Sequence, residues 1–179
     1  IMFQYERDAQ RVYEAIIKRM ELFGLELSKE KTRILPFGRN CGTRETFDFL
    51  GFTHFNSKTR KGYYTVGHKI SRKKKKQFKS NLKKWVKENR NTQFDEFMKA
   101  LNKKLTGSFN YYSLSGMIRE VRNLWHHSLY VTFKWMNRRS QRRSFKLERF
   151  YEIWNDRIIH PYIHVDIWNG DKVIYNKNV

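Results

Sequence analysis

A run of cationic and hydrogen-bonding side chains near the end of a predicted helix is the part of this sequence best suited to hold a polyanion. The guanidinium group of arginine is planar, pairs with phosphate through two parallel hydrogen bonds, and stacks on bases. Asn137 and Ser140 add neutral hydrogen-bonding groups that a surface serving only solubility would not need. We therefore predict nucleic-acid contact by Lys134, Arg138, Arg139, Gln141, Arg142 and Arg143.

A second basic run opens an earlier helical segment and consists of Arg72, Lys73, Lys74, Lys75 and Lys76. Cations at the start of a helix are disfavoured by the helix macrodipole. Five of them in a row indicate a counter-charge outside the chain, and phosphate is the obvious one. The alternative is that the run is simply a solvated helix end.

An adjacent tyrosine pair, Tyr111 and Tyr112, is predicted to lie in a loop before the longest helix. Core packing is the usual role of paired tyrosines. Contact with a base or a ribose of RNA is the second interpretation.

The sequence indicates neither a metal site nor a disulfide. Cys41 is the single cysteine, which excludes an intramolecular disulfide and a cysteine-based zinc site. His160 and His164 lie four residues apart, but Pro161 breaks the helix that would bring them together. We predict that this chain binds no metal and no cofactor.

The positive charge is concentrated in the middle of the chain. The formal net charge is +21, and residues 59–149 contain 25 Lys and Arg against 5 Asp and Glu. Residues 1–58 contain 10 against 8, and residues 150–179 contain 3 against 4. One cationic segment between nearly neutral flanks is typical of a dedicated nucleic-acid-binding surface. A basic ribosome-associated protein and contact with anionic lipid are weaker alternatives.

Other classes of protein are excluded by composition. No apolar run approaches the roughly 18 residues that span a bilayer, so we predict no membrane association and a cytoplasmic, reduced location. The first residues, from Ile1 to Tyr5, resemble the end of a buried strand. This suggests that the chain is a fragment of a longer protein.

Apolar periodicity predicts an α+β fold. The first part contains an amphipathic helix from Glu6 to Phe23, a short strand from Thr32 to Leu35 and a strand from Phe47 to Phe52, whose hairpin partner is Tyr63–Val66.

Helices follow after Gly67. One begins with the basic run, and the next has a capping box of Thr92 and Asp95 and ends at Gly107. A longer helix spans about Met117 to Asn137, and a shorter one lies around Phe150.

Several blocks of the sequence, in this order, resemble group II intron reverse transcriptases. Residues 23–34 look like the end of the palm domain of that family, and Phe49-Leu50-Gly51-Phe52 is similar to its primer-grip strand. The basic helix after Ser71, residues 101–107, Asn110-Tyr111-Tyr112 and Trp135–Arg143 resemble the thumb, which is also called the maturase or X domain.

This resemblance implies a domain organisation. Residues 1–66 would be the C-terminal end of the palm, with a helix and short antiparallel strands. Residues 67–143 would be a three-helix thumb or maturase domain, and residues 144–179 a C-terminal helix with an extended tail.

The resemblance also implies a function. The chain would bind intron RNA and the RNA–DNA template–primer duplex, together with the fingers and palm portion that precede it, and so support reverse transcription and splicing. Phe49, Leu50, Gly51 and Phe52 would grip the primer. Lys31 would contact the nucleotide phosphates or, as the alternative, be a solvated lysine at the start of a strand.

The family's catalytic aspartate motifs, which hold Mg²⁺ in the complete polymerase, are not found in this sequence. We therefore expect no polymerisation by this chain alone. A free-standing, non-catalytic RNA-binding splicing cofactor remains the alternative function.

Overall fold

The computed structural model describes residues 1–28, 30–39, 41–138 and 145–163. These residues form five helices and a three-stranded antiparallel sheet, which confirms the α+β fold. The elements in chain order are α1 (Glu6–Leu22), β1 (Thr46–Phe49), β2 (Phe52–Lys58), β3 (Tyr64–Ile70), α2 (Arg72–Asn89), α3 (Phe94–Tyr112), α4 (Ile118–Met136) and α5 (Leu147–Arg157).

The chain forms two compact units. The first contains residues 1–47 and 55–66, and the second contains residues 48–54 and 67–179. The prediction that the domains are 1–66, 67–143 and 144–179 stays a prediction.

In the first unit, α1 forms where the apolar periodicity predicted it. Glu6 and Asp8 lie in its first turn, where carboxylates complement the helix dipole. After it, Gly24 adopts a left-handed conformation with φ +68°. The predicted strand from Thr32 to Leu35 is wrong, because these residues have no regular secondary structure. A β-branched sequence becomes a strand only where a neighbouring strand completes its hydrogen bonds.

The strands follow the order β1-β2-β3. The predicted single strand from Phe47 to Phe52 is wrong, because Leu50 and Gly51 form a turn that separates β1 from β2. Both have positive φ, 49° and 84°, as a two-residue turn between antiparallel strands requires. The predicted pairing of this strand with Tyr63–Val66 is also wrong, because β3 pairs with β2, which shares only Phe52 with the predicted strand. Thr59 N donates to Tyr63 O at 2.8 Å in the turn that connects β2 and β3.

The predicted helices α2 and α4 are confirmed, and the predicted start and end of α3 are wrong. The side chain of Ser71 caps α2 by accepting a hydrogen bond from Lys74 N at 3.4 Å. The predicted capping box of α3 does not form, since Gln93 is the N-cap and makes no side-chain cap hydrogen bond.

Helix α3 also runs past Gly107 to Tyr112. Its buried stripe continues through Phe109 and Tyr112, and this packing outweighs the low helix propensity of one glycine. The tyrosine pair therefore lies at the end of a helix. The prediction that it lies in a loop is wrong.

A single apolar cluster lies at the centre of the second unit. Helices α2 and α4 pack side by side, and α5 packs on α3 and α4. The indoles of Trp125 and Trp154 meet edge to face, with ring centroids 6.0 Å apart. After α5 the chain is hydrogen-bonded to both α4 and α3. Trp125 Nε1 on α4 donates to Ile159 O at 3.1 Å, and Ile159 N donates to Asn102 Oδ1 on α3 at 2.9 Å.

Within the described residues, no helix combines the length and apolarity that a membrane crossing requires.

Candidate nucleic-acid interface

The start of α2, the turn between β1 and β2 and the end of α3 meet in the second unit. Ser71 N donates to Gly51 O at 2.9 Å, which ties the turn to the first residue of the basic run. A Cβ on Gly51 would lie 3.3 Å from Cγ of Lys74 and 3.8 Å from Oη of Tyr112. Three segments singled out in the sequence are thus brought together.

The two tyrosines fix this junction in different ways. Tyr111 is 52% exposed and donates through its hydroxyl to Leu50 O at 2.5 Å. Its ring stacks on Phe52, with centroids 5.6 Å apart. Tyr112 is buried, and this burial and the neighbouring Tyr111 raise the pKa of its phenol. Tyr112 therefore belongs to the core, while one edge of Tyr111 remains accessible.

The basic run at the start of α2 divides into an outer and an inner part. Its exposed members are Arg72, Lys73, Lys74 and Lys76. Lys75 is half-buried and forms an ion pair with Glu120 on α4, at 2.5 Å between Nζ and Oε2. Its charge is therefore neutralised within the protein, and the other four point their charges to solvent.

A second group of cations surrounds the indole of Trp135 near the end of α4. The cationic groups of Lys87, Arg90 and Arg138 lie 5.9, 5.4 and 5.2 Å from its ring centre. A cation within about 6 Å of an indole face is attracted by the ring quadrupole. Cationic side chains from α2 and from the segment after α4 therefore lie close together around Trp135.

Beside Trp135 a surface groove of about 470 Å³ opens between α2 and α4. We call it the α2–α4 groove. Its cations are Lys83, Lys134 and Arg138, and its other lining side chains are His127, Tyr130, Val131 and Trp135. Burial and the nearby Lys79 lower the pKa of His127. No carboxylate lines the groove, so among the described side chains its electrostatic potential is positive.

Asn137 has a different role from the RNA contact suggested by the sequence. Its amide Nδ2 donates to Phe145 O at 3.0 Å, and Phe145 N donates to its Oδ1 at 2.9 Å. These two bonds hold together the ends of the arginine-rich segment. Of that segment's predicted contacts, Arg139, Gln141, Arg142 and Arg143 lie outside the described residues.

The remaining predicted residues lie elsewhere. Lys31 is an exposed residue of the first unit and lies in a turn in which its N donates to Ser28 O at 3.0 Å. Phe49 and Leu50 are 60% and 68% exposed, and Phe52 is buried. Of the predicted primer-grip residues, only the first two therefore present large side chains to solvent.

Lys134 and Arg138 of the α2–α4 groove were predicted from the sequence, whereas Lys83, His127 and Tyr130 were missed. His127, Tyr130, Lys134 and Arg138 follow one another at steps of three or four along α4 and its end, so they share one face. Lys83 and Lys87 have the same spacing on α2. This periodicity was available, but only the packing of α2 against α4 shows that the two faces meet.

Metal binding finds no support in the part of the chain that the structure describes, where no three His, Cys, Asp or Glu residues cluster. His54 and His68 do approach each other on β2 and β3, with 2.9 Å between their Nδ1 atoms. Cys41 is a free thiol that bonds Gly38 O at 3.0 Å.

Residues 75–152 match the family model of the group II intron, maturase-specific domain, over somewhat less than half of the chain. No curated protein and no solved structure matches the chain. A maturase-specific domain implies a role in group II intron splicing, with intron RNA as the partner. The match confirms the resemblance to the C-terminal part of a group II intron maturase, with residues 75–152 similar to the maturase-specific domain of that family.

Proposed function

We propose that the chain binds structured intron RNA through α2 and the α2–α4 groove, and thereby supports splicing. One observation carries the proposal: α2 contains nine cations and one carboxylate, and eight of those cations are exposed. A phosphate backbone neutralises such a surface and releases its own condensed counterions, which favours binding. The basic face belongs largely to the segment that matches the maturase-specific domain.

We propose further that the template–primer duplex of a reverse transcriptase uses the junction at the start of α2. Support comes from the exposed Lys74 and Tyr111 beside the Leu50–Gly51 turn. In this proposal residues 1–66 are the end of a palm, and Lys31 reaches the nucleotide phosphates. No three His, Cys, Asp or Glu side chains cluster among the described residues, and the proposal assigns no Mg²⁺ ligand to them. No step of the proposal therefore runs through a metal.

The salt dependence of RNA binding tests the role of the groove. The double variant Lys134→Ala, Arg138→Ala removes two exposed cations from it. The logarithm of the binding constant falls linearly with the logarithm of the salt concentration, and each lost phosphate contact makes this negative slope shallower by about 0.9 for a duplex. We expect a slope shallower by about two, measured by fluorescence anisotropy of a labelled intron-domain RNA in a KCl series.

A matched control separates local contacts from net charge. Lys99 and Lys103 are exposed on α3 and do not line the groove, and their change to Ala removes the same charge. This control should leave the slope nearly unchanged. Equal slopes for the two double variants would contradict the proposed interface, and competition with an RNA–DNA duplex would test the second site.

A further inference from the structure

We propose that the α2–α4 groove receives one unpaired nucleotide of the RNA, with its base stacked on Tyr130. The phosphates on either side of that nucleotide would pair with Lys83, Lys134 and Arg138. This inference rests on the proposed function, which requires RNA binding but specifies neither its strandedness nor its contact with bases.

The first support is the exposure of Tyr130. Its neighbours Leu129 and Val131 are buried, whereas Tyr130 is 58% exposed on the wall of the groove. An aromatic ring kept in solvent beside three cations resembles the stacking platforms of proteins that bind single strands, where bases stack on rings while cations follow the backbone.

The second support is that the other large ring of the groove is already covered. Lys87, Arg90 and Arg138 lie within 6 Å of the centre of Trp135. Trp135 therefore positions cations, and Tyr130 is the ring that offers a face to a base. In this groove Trp135 positions the cations that bind phosphate, and Tyr130 stacks on the base.

The third support is the size and charge of the groove. Its volume of about 470 Å³ lies in the range of about 300–1,000 Å³ that is usual for small-molecule sites, so it suits a nucleotide and not a duplex. Bases within a helix cover each other's faces, and only an unpaired base can stack on a side chain. Since no carboxylate among the described residues lines the groove, an anionic phosphodiester segment meets no repulsion from them.

A set of three matched RNA hairpins tests the inference with the full chain. The first carries a one-nucleotide purine bulge, the second carries an abasic residue at the bulge, and the third has no bulge. We expect the wild-type chain to bind the bulged hairpin about tenfold more tightly than the abasic one, as stacking of one base provides. Tyr130→Ala should remove this preference, and Tyr130→Phe should keep it.

The control is Tyr151→Ala, which removes a partly exposed tyrosine on α5 and should leave the preference intact. Far-ultraviolet circular dichroism of each variant establishes that it is folded. Equal affinity of the wild-type chain for bulged and abasic hairpins would overturn the inference while leaving the proposed function in place. Failure to bind any of the three hairpins would overturn both.

Discussion

Gly51 is the residue on which the junction between the β1–β2 turn and α2 depends. A Cβ at this position would meet the side chains of Lys74 and Tyr112. The turn itself could not be predicted, because two-residue turns with positive φ favour Asn-Gly or Asp-Gly and this one is Leu-Gly. Leu50 adopts φ 49°, a conformation with a steric cost for a side chain of its kind.

Replacing Gly51 by Ala should therefore destabilise the second unit. The left-handed conformation alone costs about 1–2 kcal/mol for a residue with a Cβ, and the new methyl must also displace the side chain of Lys74. Gly116→Ala is the matched control, since Gly116 has φ +83° and open space around it. Urea unfolding should show both losses, with that of Gly51→Ala larger, and equal losses would mean that the contact with Lys74 is unimportant.

At the scale of one element, helix α2 combines a favourable cap with an unfavourable charge pattern. Ser71 caps it, yet its first turn contains no acidic residue and a series of cations. The basic run and its helix were predictable from composition and apolar spacing. The inward direction of Lys75, which pairs with Glu120, was not, because the partner lies 45 residues further along the chain.

The double variant Arg72→Glu, Lys73→Glu should separate stability from RNA binding. Carboxylates in the first turn complement the helix dipole, each by about 0.3–1 kcal/mol at an exposed site, so the free energy of unfolding should rise. RNA affinity should fall, because two proposed phosphate contacts are reversed in sign.

Lys99→Glu, Lys103→Glu on α3 changes the net charge equally and serves as the control. It should reduce RNA affinity much less than the α2 variant does. Chemical unfolding and anisotropy measure the two effects, and a loss of both stability and affinity in the α2 variant would argue against a purely external role of these cations.

On the scale of the whole molecule, the sequence predicted the α+β class, the order of the helices and the concentration of charge. Those features depend on local periodicity and composition. The groove could not be predicted, because the residues of α4 from His127 to Arg138 form its wall only where α2 packs against α4. The extension of α3 to Tyr112 likewise depends on burial in the core, which no short window of sequence contains.

Stability of the second unit should decrease on mild acidification. Burial lowers the pKa of both His68 and His127, with further lowering by His54 and Lys79 respectively. The unfolded state then binds more protons than the folded state below the ordinary histidine pKa of about 6.5. The free energy of unfolding is therefore fully retained above that pH and is lost progressively as the pH falls towards the lowered values.

Urea unfolding between pH 7.5 and 5.5 measures this effect. The double variant His68→Asn, His127→Asn should show a flatter pH dependence, relative to its own stability at pH 7.5. His126→Asn, at an exposed position on α4, should retain the wild-type slope. An unchanged slope in the double variant would assign the acid sensitivity to other groups.

The paired hydrogen bonds between Asn137 and Phe145 have a consequence for how such a chain diversifies. Because the two ends of the arginine-rich segment are joined by a single amide side chain, the residues between them can change without altering the register of α4 or α5. Doubling the length of a closed segment costs only about 0.6 kcal/mol of loop entropy. Under the proposed function, the bonds at Asn137 and Phe145 would let the same pair of helices carry different RNA contacts.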